Sequence, residues 1–70
     1  MKKSIQFVIP CHNEEENIER IVSEVDKYIG SLHYRYEYLF IDDGSTDRTY
    51  DKIIDLSKVR KDIIVFKLSR

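Results

Sequence analysis

Two short stretches hold most of the residues that could do chemistry: PCHNEEE from Pro10 and DDGSTD from Asp42. The second places two acids, Asp42 and Asp43, side by side just where an apolar run ends. Adjacent carboxylates repel each other and resist burial. A ligand relieves that cost by donating hydrogen bonds or by bringing a cation. A nucleobase offers N–H groups, a ribose offers hydroxyls and a metal offers charge. The same residues also suit a plain turn, with Asp43 in an Asx-turn and Ser45 capping a helix. Both readings stand on spacing alone. In the first stretch, Glu14, Glu15 and Glu16 complement a helix dipole, and Glu14 lies nearest any cleft. Cys11 reads as a small buried filler, His12 as a candidate ligand contact and His33 as surface loop. One Cys and two scattered His match no zinc spacing. The glycine-rich phosphate loops GxGxxG and GxxxxGK[ST] are absent, as is a GxSxG elbow. Any phosphate binding must use something else.

The elements that would position these stretches follow from periodicity. IQFVI, Ile5–Ile9, reads as a strand buried on both faces and ended by Pro10. Asn13 fits a helix N-cap, with Glu16 in the capping-box position. Ile18, Ile21, Val22, Val25 and Ile29 then form one apolar stripe, and Gly30 marks the stop. Tyr34–Ile41 alternates and then becomes wholly apolar, which predicts a second strand whose tyrosines serve packing. Ser45 or Thr46 is expected to cap a second helix, with Asp47 in its first turn and Tyr50, Ile53, Ile54 and Val59 on its apolar face. IIVFKL, Ile63–Leu68, reads as a third strand. The order β-α-β-α-β implies an α/β fold with a parallel open sheet and right-handed crossovers. Parallel strands bring both polar stretches to the carboxyl edge of the sheet, where ligands of such folds bind.

Composition sets the outer limits. Seventy residues fit at most one domain, and 41% hydrophobic with 36% charged residues indicates a folded chain. Twelve basic and thirteen acidic residues nearly cancel, so no field marks a nucleic-acid binder. A single cysteine favours a reducing compartment. No segment approaches the roughly 20 apolar residues of a membrane span, and MKKS followed by IQFVIP is too short for a signal peptide. A chain that stops at LSR, directly after a strand, reads as a fragment.

Taken in order, FVIPCHNEEENI and YLFIDDGSTDRT resemble the start of family 2 glycosyltransferases, which have the GT-A (Rossmann-like) fold. The nearest likeness is to the branch of dolichyl-phosphate mannose synthases and undecaprenyl-phosphate glycosyltransferases, and IIVFKLSR resembles that branch's third strand. The resemblance covers essentially residues 1–70, which would be the N-terminal nucleotide-binding portion of an incomplete domain. It implies transfer of a sugar from a UDP- or GDP-linked donor to an acceptor, a lipid phosphate such as a polyprenyl phosphate or a saccharide. It further implies a role in cell-wall or glycolipid synthesis, in the cytoplasm or on the cytoplasmic face of a membrane. Pro10, His12 and Glu14 would border the nucleoside. Asp42 would contact the base, with Asp43 beside it. Position 12 is His where the family usually has Tyr. The resemblance places the ligands for Mg²⁺ or Mn²⁺, the catalytic base and the acceptor site beyond residue 70, so these residues alone are expected not to catalyse transfer. A rival reading is a stand-alone α/β binding or interaction module, in which the unpaired sheet edges support self-association. A phospho-acceptor receiver domain fits the PCHNEEE turn poorly.

Overall fold

The computed structural model describes residues 4–68. The basic start and the closing Ser69 and Arg70 lie outside the described residues. The elements are β1 (Ser4–Cys11), α1 (Ile18–Gly30), β2 (Arg35–Asp43), α2 (Thr49–Val59) and β3 (Ile63–Leu68). They form a three-stranded sheet in the order β1-β2-β3, parallel throughout, as the alternation of strands and helices predicts.

The core lies on one face of this sheet. Ile18 and Val22 of α1 and Ile53 of α2 pack on Cys11, Tyr38, Phe40 and Ile63, all buried. Both crossovers advance in the same direction across the sheet, so one handedness brings both helices to the same side. The other side corrects the expectation that β1 is buried on both faces. Val8, Leu39 and Ile64 stand in register there, as do Pro10, Ile41 and Phe66. Among the described residues no element covers this side, and Val8 and Phe66 are exposed. β1 also runs through Pro10 to Cys11. It is an edge strand of the described sheet, where a proline nitrogen can face away from its neighbour without losing a ladder bond.

Other boundaries moved as well. α1 begins at Ile18 with Asn17 at its N-cap, so Asn13 and the three glutamates precede the helix. The helix runs through Gly30, and the left-handed residue of the following loop is His33, with φ of 57°. α2 starts at Thr49, with Arg48 and neither Ser45 nor Thr46 at the N-cap. Val59 is exposed, and Leu56 packs against the core in its place. No helix among the described residues is long and apolar enough to cross a membrane.

β2 is the central strand and carries polar groups at both ends. Near its start, the Tyr38 hydroxyl donates to Asp26 Oδ1 at 2.7 Å and the Tyr36 hydroxyl donates to the same atom at 3.1 Å. Arg60 closes this group by donating to Asp26 Oδ2 and Asp62 Oδ2, each at 2.8 Å. Its guanidinium also lies 5.6 Å from the Tyr38 ring centroid. The tyrosines thus serve packing and anchoring, as their alternation suggests. The opposite end of β2 carries Asp42 and Asp43.

Candidate functional site

In the parallel register Cys11 pairs with Asp42, so the chain leaves β1 and β2 at the same level. The two polar turns therefore sit side by side on the carboxyl edge. Gly44 makes the sharp exit after Asp43 with φ of 68°, a conformation that L side chains disfavour.

The turns are stitched together by hydrogen bonds across more than thirty residues of sequence. The Asn13 amide donates to Ser45 Oγ at 2.9 Å. The Asn13 side-chain oxygen accepts from the amides of Thr46 at 2.8 Å and Asp47 at 3.3 Å. The Glu14 amide donates to Thr49 Oγ1 at 2.7 Å, and the Glu15 amide donates to Asp47 Oδ2 at 3.3 Å. Thr49 is fully buried beneath this seam. Asp47 Oδ1 accepts from the Thr49 amide at 2.9 Å, which serves the start of α2 in place of an N-cap side chain. Burial pushes the Asp47 carboxyl up, but the bonds from Thr49 and Glu15 outweigh it and hold Asp47 below the usual aspartate range.

Pro10, Cys11, His12, Glu14 and Asp43 line a shallow cleft of about 190 Å³ between the turns. Four of the five residues expected to face a nucleoside thus meet there. The His12 ring is held through Nδ1, 2.6 Å from the Asp43 carbonyl oxygen. Since that oxygen can only accept, Nδ1 donates to it, and Nε2 lies 3.4 Å from the Asn13 side-chain nitrogen. Glu14 is tethered by the Asn17 amide side chain, which donates to its Oε2 at 2.9 Å. The fifth residue, Asp42, sits under the cleft and does not line it. It is fully buried, its Oδ1 accepts from the Ser45 hydroxyl and amide, and its Oδ2 has no hydrogen-bond partner. A buried polar atom left unmade costs about 1–3 kcal/mol, and more when charged.

The edge is electronegative. Burial first, and then the charges of Asp42, Glu14 and Asp47, push the Cys11 thiol up to about 11. Such a field favours hydrogen-bond donors and cations over a bare phosphate. Cys11 is buried and its thiol donates to the Ile41 carbonyl at 3.6 Å, in keeping with a packing role. Among the described residues no group of three or more His, Cys, Asp or Glu side chains could hold a metal ion. A larger hollow of about 670 Å³ lies at the opposite edge, lined in part by Ser4, Gln6, Tyr36 and Lys61. It is remote from both turns, and the Gln6 amide on its wall already donates to Glu37 at 2.8 Å.

The family model described as glycosyl transferase family 2 matches residues 6–70, which include both turns and all five elements. The chain belongs to glycosyl transferase family 2. The β-α-β-α-β order agrees with the start of a GT-A domain, as the resemblance implies. An uncharacterized glycosyltransferase of Synechocystis sp. is 33% identical over 70 residues, covering 100% of this chain and 22% of that protein. CsbB of Bacillus subtilis, which carries a glycosyltransferase name, is 36% identical over 66 residues, 94% of this chain and 20% of its own. A dolichol-phosphate mannosyltransferase of Pyrococcus furiosus is 42% identical over 53 residues, 76% of this chain and 14% of its own. The chain thus spans about a fifth or less of the length of these family 2 relatives.

Sequence reasoning missed Asn13, Ser45, Asp47 and Thr49 as the seam between the turns. Their types were visible, but each also fits a local capping role. Only the parallel register, which sets Cys11 against Asp42, makes them partners.

Proposed function

We propose that the whole protein is a glycosyltransferase that moves a sugar from a UDP- or GDP-linked donor to an acceptor, and that this portion holds the donor's nucleoside. The observation that carries the reading is the buried Asp42 carboxylate with Oδ2 unmatched beneath the cleft. A uracil or guanine N–H is the kind of donor that would satisfy it. The cleft side chains add acceptors for ribose hydroxyls, the carboxylates of Asp43 and Glu14. The negative field of the edge supports base and ribose recognition here and leaves the diphosphate to other residues. Cleft volume points the same way. About 190 Å³ is below the roughly 300–1,000 Å³ of complete ligand pockets, so this edge supplies one wall of a donor site.

The remaining assignments rest on likeness. The mannosyltransferase relative is named for dolichol phosphate, and on that basis we assign this protein a polyprenyl-phosphate acceptor at a membrane surface. Mg²⁺ or Mn²⁺ would neutralise the leaving diphosphate, bound by residues other than those described. Calorimetric titration of the protein with UDP, GDP and inorganic diphosphate tests the nucleoside assignment. The reading expects one nucleotide to bind at least about tenfold more tightly than diphosphate, the effect of one charge-assisted hydrogen bond. Equal affinity for all three would show that the base is not read.

A further inference from the structure

Asn13 makes bonds that a helix cap would not make. Its φ of 51° lies in the left-handed region, which Asn tolerates better than most residues. That conformation is compatible with two simultaneous contacts to the second turn. The main-chain amide donates to Ser45 Oγ, while the side-chain oxygen receives the Thr46 and Asp47 amides. Ser45, so held, donates its hydroxyl and its amide to Asp42 Oδ1. A continuous chain of donors therefore runs from the first turn to the buried carboxylate. It occupies one carboxylate oxygen and leaves the other, Oδ2, unmatched.

We propose that Asn13 is a positioning residue: through Ser45 it fixes the orientation of Asp42, so that Oδ2 is the oxygen offered to the ligand. This rests on the nucleoside reading of the cleft. Asn13 itself need not touch the ligand. Its side chain ties the loops, and its backbone amide sets the Ser45 hydroxyl.

The informative variant is Asn13→Gly, because glycine keeps both the left-handed backbone and the amide but removes the side-chain anchor. Two readouts are needed on the same protein. Amide hydrogen exchange should speed up not only at Thr46 and Asp47, which lose their acceptor, but also at Ser45, whose amide bonds to Asp42 and never to Asn13. Exchange at Tyr38 in the core should stay unchanged. Affinity for the nucleotide bound by the wild type should fall about tenfold, the equivalent of one charge-assisted hydrogen bond. Ser45→Ala should weaken binding similarly, and the double variant should be little worse than either single one, since the side-chain anchor lost in Asn13→Gly acts on Asp42 only by holding the turn that carries Ser45. Unchanged exchange at Ser45, additive losses, or unchanged or tighter nucleotide binding in Asn13→Gly would overturn the proposal. Absence of nucleotide binding by the wild-type protein would instead overturn the nucleoside reading, and the assigned ligand role of Asn13 with it.

Discussion

The two ends of β2 both gather acids under partial burial, yet they are built in opposite ways. At the amino end, Asp26 receives both tyrosine hydroxyls and the Arg60 guanidinium, and Arg60 also holds Asp62. Every charge there has an opposite charge or a donor. At the carboxyl end, Asp42 is more deeply buried but keeps an oxygen with no partner, and the charges around it are mostly of its own sign. A closed network stabilises the fold. An unclosed one is a standing cost, and folds retain such costs where a ligand removes them. The contrast separates acids with a full set of partners from one without, which the abundance of Asp and Glu in the sequence could not do.

Breaking the closed end should have the largest effect on stability. Asp26→Ala leaves Arg60 and two tyrosine hydroxyls short of an acceptor, so denaturant unfolding should show a loss of about 1–3 kcal/mol. Nucleotide affinity should be unaffected, because the network lies at the far edge. A large affinity loss with intact stability would erase the distinction between the two ends.

A pH titration of stability sharpens the same contrast. Hydrogen bonds from Arg60, aided by those from Tyr38 and Tyr36, hold the Asp26 carboxyl below its ordinary value of 3.8 against the effect of burial. Its contribution is complete above 3.8 and is lost as pH falls through the lowered folded value. Tyr38 behaves in the opposite sense. Burial and its bond to Asp26 raise the phenol above its ordinary value of 10, so that contribution is present below pH 10 and declines above it. Asp26→Ala should abolish the Asp26 part of the acid limb and only reduce the alkaline limb, which burial of Tyr38 sustains, as followed by urea midpoints across the pH range.

A smaller effect is expected at Cys11. Buried, and with its thiol pushed up to about 11, it should react with a thiol reagent at neutral pH only as fast as the protein opens. Rapid labelling of the folded protein would mean that the carboxyl edge is much looser than the seam of hydrogen bonds implies.

Much of the fold was legible because its signals are local. The stripe of Ile18, Val22 and Ile29, the alternating tyrosines and the short run Ile63–Leu68 identify α1, β2 and β3 without tertiary information. Four of the five nominated site residues share the cleft because parallel strands force their turns onto one edge. What was not legible is the allocation of polar groups. Asn13 and Glu16 have the spacing of a capping box, yet Asn13 serves the second turn and α1 starts at Ile18. Ser45 looks like a helix cap but bonds to Asp42. The Asp26–Arg60 pair joins residues 34 positions apart, and no local pattern announces it. A capping signature names residues able to satisfy an amide; it does not say which amide.

The most direct test of the unclosed end is Asp42→Asn, followed by both calorimetry and thermal unfolding. Asparagine keeps an oxygen for Ser45 and replaces the unmatched oxygen and its charge with an amide donor. Tm should stay level or rise, while affinity for the bound nucleotide should fall by about tenfold to a hundredfold. A protein that loses stability yet binds the nucleotide as tightly as before would show that Asp42 is a structural acid, and the contrast between the two ends of β2 would collapse.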